Sequence, residues 1–364
     1  MSQTDRVSVF DAVVGQESAV ATLRALGPSP AHAYMFIGPS GCGKDVAARA
    51  FAALKLQGDE DATTRLADLV MRRMHVDVHE LERDGASINV EQAREEIVKI
   101  ADRTAVEGST RVIVIHEFEL MAGEARSTIL KTLEEPDGRT VMILLGEDVP
   151  SEFTTIASRS VRVNFAPIPD EIVVRELVAA GHAVDAAERA AHIAAGDLER
   201  ARIVVNDPAL ASRLELFEAL PGRLDGSHST VVRLVAEILG AIEASLETYK
   251  AQQEVEVAAL EERVKMLGER GSGRKTLADR HKRELRRHRT DELRSGLRVL
   301  SLRYRDAMAD LSDSAVAHLV LGYADAVSQI RRASAALSRN VNERLLLEDL
   351  LMALPSMSVP TAGR

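Results

Sequence analysis

Cysteine is nearly missing from this chain. Its 364 residues hold one, Cys42, so neither an intrachain disulfide nor a cysteine-built zinc site can form. Tryptophan is absent and aromatic residues make up 3%; none falls in the basic stretch Arg274 to Arg289, which argues against base stacking there. No apolar run approaches the length of a membrane span. The first six residues, Met1 to Arg6, are polar with no apolar signal region behind them, so the cytoplasm is the expected location. Positive charge is not in excess either. Forty-six Lys and Arg face 56 Asp and Glu, a net charge of -10, which argues against a chain that coats nucleic acid over its whole surface. A local basic patch stays open.

The richest stretch is Gly38-Pro39-Ser40-Gly41-Cys42-Gly43-Lys44-Asp45. Apolar Ala33 to Ile37 precedes it and helix-patterned Val46 to Leu54 follows. Strand, glycine-rich loop, helix is the setting of a phosphate-binding loop. Gly38, Gly41 and Gly43 would let the backbone wrap its N–H groups around an anion, and Lys44 would reach the outer phosphates. The next position calls for a Ser or Thr hydroxyl on Mg²⁺ but holds Asp45. A carboxylate about 4 Å from a phosphate oxygen is repelled by roughly a few kcal/mol at an effective dielectric near 20. Downstream, Arg111-Val112-Ile113-Val114-Ile115 reads as a strand buried on both faces. The Asp-Glu pair expected at its end is His116-Glu117, and imidazole is a poor ligand for a hard, oxygen-preferring cation. His75 and His79 have no third ligand nearby in sequence, so they are expected to be ordinary strand or surface histidines and no metal is expected.

Four further stretches carry a resemblance: Phe10-Asp11-Ala12-Val13-Val14-Gly15-Gln16, then His75-x-Asp77-x-His79 with Ile88-x-Val90-x-Gln92-x-Arg94, then Leu130-Lys131-Thr132-Leu133-Glu134-Glu135-Pro136, and Ser158-Arg159-Ser160. With the loop between them, they resemble the AAA+ clamp-loader subunits of bacterial DNA polymerase III. Many of those carry a four-cysteine zinc module before the second strand, where this chain has Gln57 to Asp61 and no cysteine. The resemblance implies that Val14, Gly15 and Gln16 lie over the adenine, that sensor 1 falls on Gly146, and that the sensor 2 arginine position of the lid falls on Glu199. It also implies that Arg159 is a finger acting in trans on a neighbour's ATP, with Ser160 replacing the usual Cys. Glu117 is then a vestigial water-orienting acid. Asp45, His116, Gly146 and Glu199 are all wrong for a working motor, so at most weak ATP or ADP binding and no required cofactor are expected. The family role that fits is a stator; the rival is an active gamma/tau-type ATPase. The implied partners are gamma/tau and delta subunits, the sliding clamp through the complex, and primed DNA, with no membrane.

The expected architecture is an α/β P-loop domain over 1–167, with a parallel sheet flanked by helices. A small helical lid over 168–206 and an all-α collar over 207–364 follow it. Pro167-Ile168-Pro169 marks the first boundary, and Gly181 and Gly196 divide the lid into three short helices. Beyond Asp207 nearly everything reads as helix, with a break at Gly268 to Gly273 and a basic run from Arg274 to Arg289. That run reads first as a solvated face and second as a nucleic-acid or acidic-partner contact. Asn340 to Leu351 resembles the collar's last helix, with Leu345, Leu346, Leu347, Leu350 and Leu351 expected to exceed what one domain can bury.

Overall fold

The computed structural model describes residues 7–85, 87–107, 110–134, 140–267, 274–311, 317–337, 339 and 341–357. Two compact units are present. One runs through Asn206, and the other begins at Asp207 and takes in Asp84 and Gly85.

The first unit is built on five parallel strands: β1 Ala33–Ile37, β2 Val78–Leu81, β3 Arg111–Ile115, β4 Thr140–Gly146 and β5 Val161–Asn164, in spatial order β2-β3-β4-β1-β5. Around the sheet run α1 Glu17–Leu26, α2 Lys44–Gln57, α3 Arg65–Met71, α4 Val90–Ala93, a π-helical turn Arg94–Val98, α5 Lys99–Ala101, α6 Gly123–Glu134 and α7 Thr154–Ala157. Side chains alternate between the two faces of a strand. Tyr34, Phe36, Val112, Val114, Val141, Ile143 and Leu145 therefore join one core with Ala47, Ala48 and Phe51 of α2. Met35, Ile37, Ile113, Ile115, Met142 and Leu144 join the other core with Ala125, Ile129 and Leu133 of α6. A strand buried on both faces must be apolar at every position, which is why β3 shows no alternation in sequence. The alanines of α2 let that helix lie close to the sheet. Lys55, near its end, donates to the carbonyls of Leu26, Gly27 and Ser29 and ties down the turn after α1.

Three short helices close this unit: α8 Asp170–Ala179, α9 Val184–Ala194 and α10 Leu198–Asn206. They are broken at Gly181 (φ 97°) and Gly196 (φ 80°), left-handed conformations that favour glycine.

The second unit is helical: α11 Pro208–Arg223, α12 His228–Leu267, α13 Arg274–Ala309, α14 Ala317–Ala336 and α15 Glu343–Ala353. Asp207 caps α11, accepting from the N–H groups of Ala209 and Leu210. The core joins Leu234, Val235 and Ile238 of α12 with Leu293, Leu297 and Leu300 of α13. Leu347, Leu350 and Leu351 of α15 complete it. As expected, α15 carries more leucine than its unit covers. Its unit buries those three and packs Leu346 partly, leaving Leu345 at 61% exposure. Asn342 caps α15 through Leu345 N–H at 3.2 Å. The expected break at Gly268 to Gly273 and the expected helix start at Asn340 lie outside the described residues.

Candidate functional site

In the strand order, β1 sits between β4 and β5, so the loop after β1 lies at the carboxyl ends of the strands beside the end of β4, with β3 next beyond it. Crevices of this kind are where open α/β sheets bind ligands. Gly41 (φ 64°) and Gly43 (φ 84°) take left-handed conformations that turn the chain into α2. A side chain on Gly41 would collide with the carboxylate of Asp197, and one on Gly38 with the carbonyl of Phe165. The glycines thus serve close packing as well as turn geometry. Asp197 caps α10 through Arg200 N–H at 2.8 Å, and Leu198 N–H donates to Gly41 carbonyl at 3.2 Å. Gln16 clips the other side: its amide donates to the carbonyls of Cys42 and Ala166 at 3.0 and 2.6 Å. Lys44 is buried, and its ammonium donates to the Gly38 and Pro39 carbonyls at 2.8 Å each. Cys42 is fully buried, and burial pushes its thiol up.

Where a P-loop ATPase holds its metal, this chain holds ion pairs with its own side chains. Asp45 meets Arg49, one helical turn on, at 2.6 Å. Arg49 reaches Glu80 of β2 at 3.4 Å, and Glu80 meets His116 at 3.0 Å and Arg73 at 3.4 Å. The Glu80 side chain is 7% exposed, so its charge needs these partners. Glu117, in a left-handed turn at φ 48°, is gripped by the guanidinium of buried Arg83 at 2.6 and 3.2 Å. Carboxylates engaged by guanidinium groups, beside an imidazole, do not fit a hydrated Mg²⁺ that prefers free oxygen ligands. The sequence-level view of Asp45 also changes. Its charge is paired within α2, which weakens its repulsion toward an anion.

Gly146 ends β4, and its missing side chain is accounted for. A Cβ there would lie 2.3 Å from Phe118 Cε1 and 2.6 Å from Glu119 Oε2. Glu119 accepts from Glu147 N–H at 3.0 Å through Oε1, while Oε2 is enclosed without a hydrogen bond. Burial pushes this carboxyl up to about 7, against the pull of the Glu147 N–H. Glu199 is exposed and paired with Arg202 at 2.6 Å. Arg159 follows α7; its side chain is 38% exposed and meets Glu134 of α6 at 2.7 Å. Glu135 and Pro136 of the same motif lie outside the described residues.

The sheet thus brings the ends of β1, β3 and β4 together, with Lys44, Asp45, His116, Glu117 and Gly146 at or beside them. Among the described residues no cluster of His, Cys, Asp and Glu is arranged to hold a metal. His75 is buried and accepts from Asp77 N–H at 3.1 Å; His79 lies 3.8 Å from Glu96 and is held below the usual histidine range by burial. Sequence reasoning missed Arg49, Arg83, Glu80 and Asp197, and it named Gln16 without its clip on Cys42 and Ala166. Arg49 had a signal, since an Arg four residues after Asp45 on a helix faces it. The others come from distant segments and left none. Much of the basic run is paired within its own unit. Arg280 and His281 meet Glu256, and Arg289 meets Glu243 and Glu343. No described helix is long and apolar enough to cross a membrane.

Parallel strands in this order, a glycine loop entering α2 and a helical lid resting on that loop define a P-loop module of the AAA+ type. Residues 24–169 match the family described as "DNA polymerase III, delta subunit". The resemblance to clamp-loader subunits is thereby borne out over this segment. The chain is 34% identical over 146 residues to the DNA polymerase III subunit delta' of Pseudomonas aeruginosa, covering 38% of this chain and 44% of that one. With the delta' subunit of Bacillus subtilis it is 28% identical over 202 residues, covering 53% and 60%. With the tau subunit of Bacillus subtilis it is 34% identical over 175 residues, covering 45% and 30%. The matches therefore span about half the length of the delta' relatives. A DNA polymerase III gamma-subunit-related protein of Thermotoga maritima aligns with a TM-score of 0.39 and 15% identity, covering 92% of this chain and 97% of that one.

Proposed function

We propose that this chain is the delta-prime subunit of a bacterial DNA polymerase III clamp loader. It serves as a stator that does not hydrolyse ATP and lends Arg159 to the ATP site of a neighbouring subunit. Residues 1–167 form its AAA+ domain and 168–206 its lid. The helical region 207–364 is the collar that assembles it with gamma/tau and delta subunits in the cytoplasm. The complex places the sliding clamp on primed DNA.

One observation carries the reading: the acids of the site are committed to arginines of the same chain. Asp45 is held by Arg49 and Glu117 by Arg83, while Arg159 keeps a guanidinium at the surface. An active gamma/tau-type ATPase would need a hydroxyl in place of Asp45, a Glu117 free to orient water, and a side chain at Gly146. A guanidinium at Arg159 can neutralise charge developing on a neighbour's γ-phosphate. The test is the purified chain with Mg²⁺ and ATP. Phosphate release should stay at background; turnover of about one per second, within the ordinary enzyme range and lost in Lys44→Ala, would overturn the reading.

A further inference from the structure

Arg159 is not loose on the surface. Its Nη2 lies 2.7 Å from Glu134 Oε1. Its Nη1 donates to the Thr155 carbonyl at 3.0 Å and to Ser158 Oγ at 3.3 Å. Two of these partners belong to the segment that carries Arg159. Glu134 comes from a different element, α6, 25 residues earlier.

We infer that Glu134 is a positioning residue that holds Arg159 in reserve on its own chain and competes with a neighbour's nucleotide for it. The inference rests on Arg159 acting in trans. A guanidinium bound to a carboxylate brings no net charge to a developing anion. A triphosphate carries several charges and displaces a single carboxylate. The side chains are 38% and 46% exposed, so the pair is weak and screened by salt. The reserve therefore yields to nucleotide and does not block it. Saturating ATP should hide it, and sub-saturating ATP should reveal it.

The experiment measures ATPase kinetics of the complex reconstituted with gamma/tau and delta subunits, carrying the wild-type chain, Glu134→Gln, Glu134→Asp or Arg159→Ala. Glu134→Gln should lower the KM for ATP by about two- to five-fold, the range an exposed pair can supply, with kcat unchanged. Glu134→Asp keeps the charge and should stay closer to wild type. The gap should close as salt is raised. An unchanged KM in Glu134→Gln, with turnover lowered in Arg159→Ala, would overturn the reserve and leave the finger standing. A lower kcat at unchanged KM would also overturn it, since Glu134 would then be holding the working pose. No effect of Arg159→Ala would overturn both readings.

Discussion

Glu119 shows how one residue can account for a missing one. Gly146 has no side chain, and Phe118 and Glu119 fill the space that one would need. The enclosed carboxyl is pushed from 4.5 up to about 7 by burial. The folded chain therefore binds this proton more tightly than the unfolded chain does. Stability from the group is fully present below about pH 4.5 and is lost as pH rises through 7. Glu119→Gln keeps the acceptor for Glu147 N–H and removes the titration. In denaturant unfolding, the variant should gain on wild type between pH 5 and pH 8, by on the order of a few kcal/mol. Parallel pH dependences for the two proteins would show that the carboxyl is ionised throughout.

At the scale of elements, what was readable followed from local rules. The run Val112-Ile113-Val114-Ile115 gave a doubly buried strand, and β3 is buried at every position. Gly181 and Gly196 marked the breaks between α8, α9 and α10. The glycine loop and its helix stand where strand-loop-helix spacing put them. What stayed hidden was pairing between segments far apart: Arg83 with Glu117, Gln16 with Cys42 and Ala166, Asp197 against Gly41. No periodicity reports which loop a sheet will bring beside another. The last helix was readable in part: its leucines exceed what its unit covers, but which one is left out depends on where the neighbouring helices lie. In α15, Leu350 is buried and Leu345 is 61% exposed. Leu350→Ala should cost about 2–5 kcal/mol in unfolding free energy, and Leu345→Ala should cost little. Equal losses would mean that Leu345 is covered in the folded chain.

Across the whole molecule, the account separates two roles that a motor subunit combines. The glycine loop is kept as structure: Gln16 and Asp197 hold it against the rest of the first unit, and Lys44 closes it on its own carbonyls. In the proposed role, the chemistry offered outward is the guanidinium of Arg159. The two roles predict opposite effects of two substitutions, which can be read in one assay. The measurement is the DNA-stimulated ATPase rate of the reconstituted complex carrying Lys44→Ala or Arg159→Ala, with assembly checked for each. Trans-acting arginines supply on the order of 10³ to 10⁵ in rate at the site they serve, and here one neighbouring site would lose its finger. The account predicts a lower total rate for Arg159→Ala, not rescued by Arg159→Lys because a point charge lacks the planar fork, and the wild-type rate for Lys44→Ala. A normal rate for Arg159→Ala together with a lowered rate for Lys44→Ala would contradict it, since the chain would then be hydrolysing ATP itself.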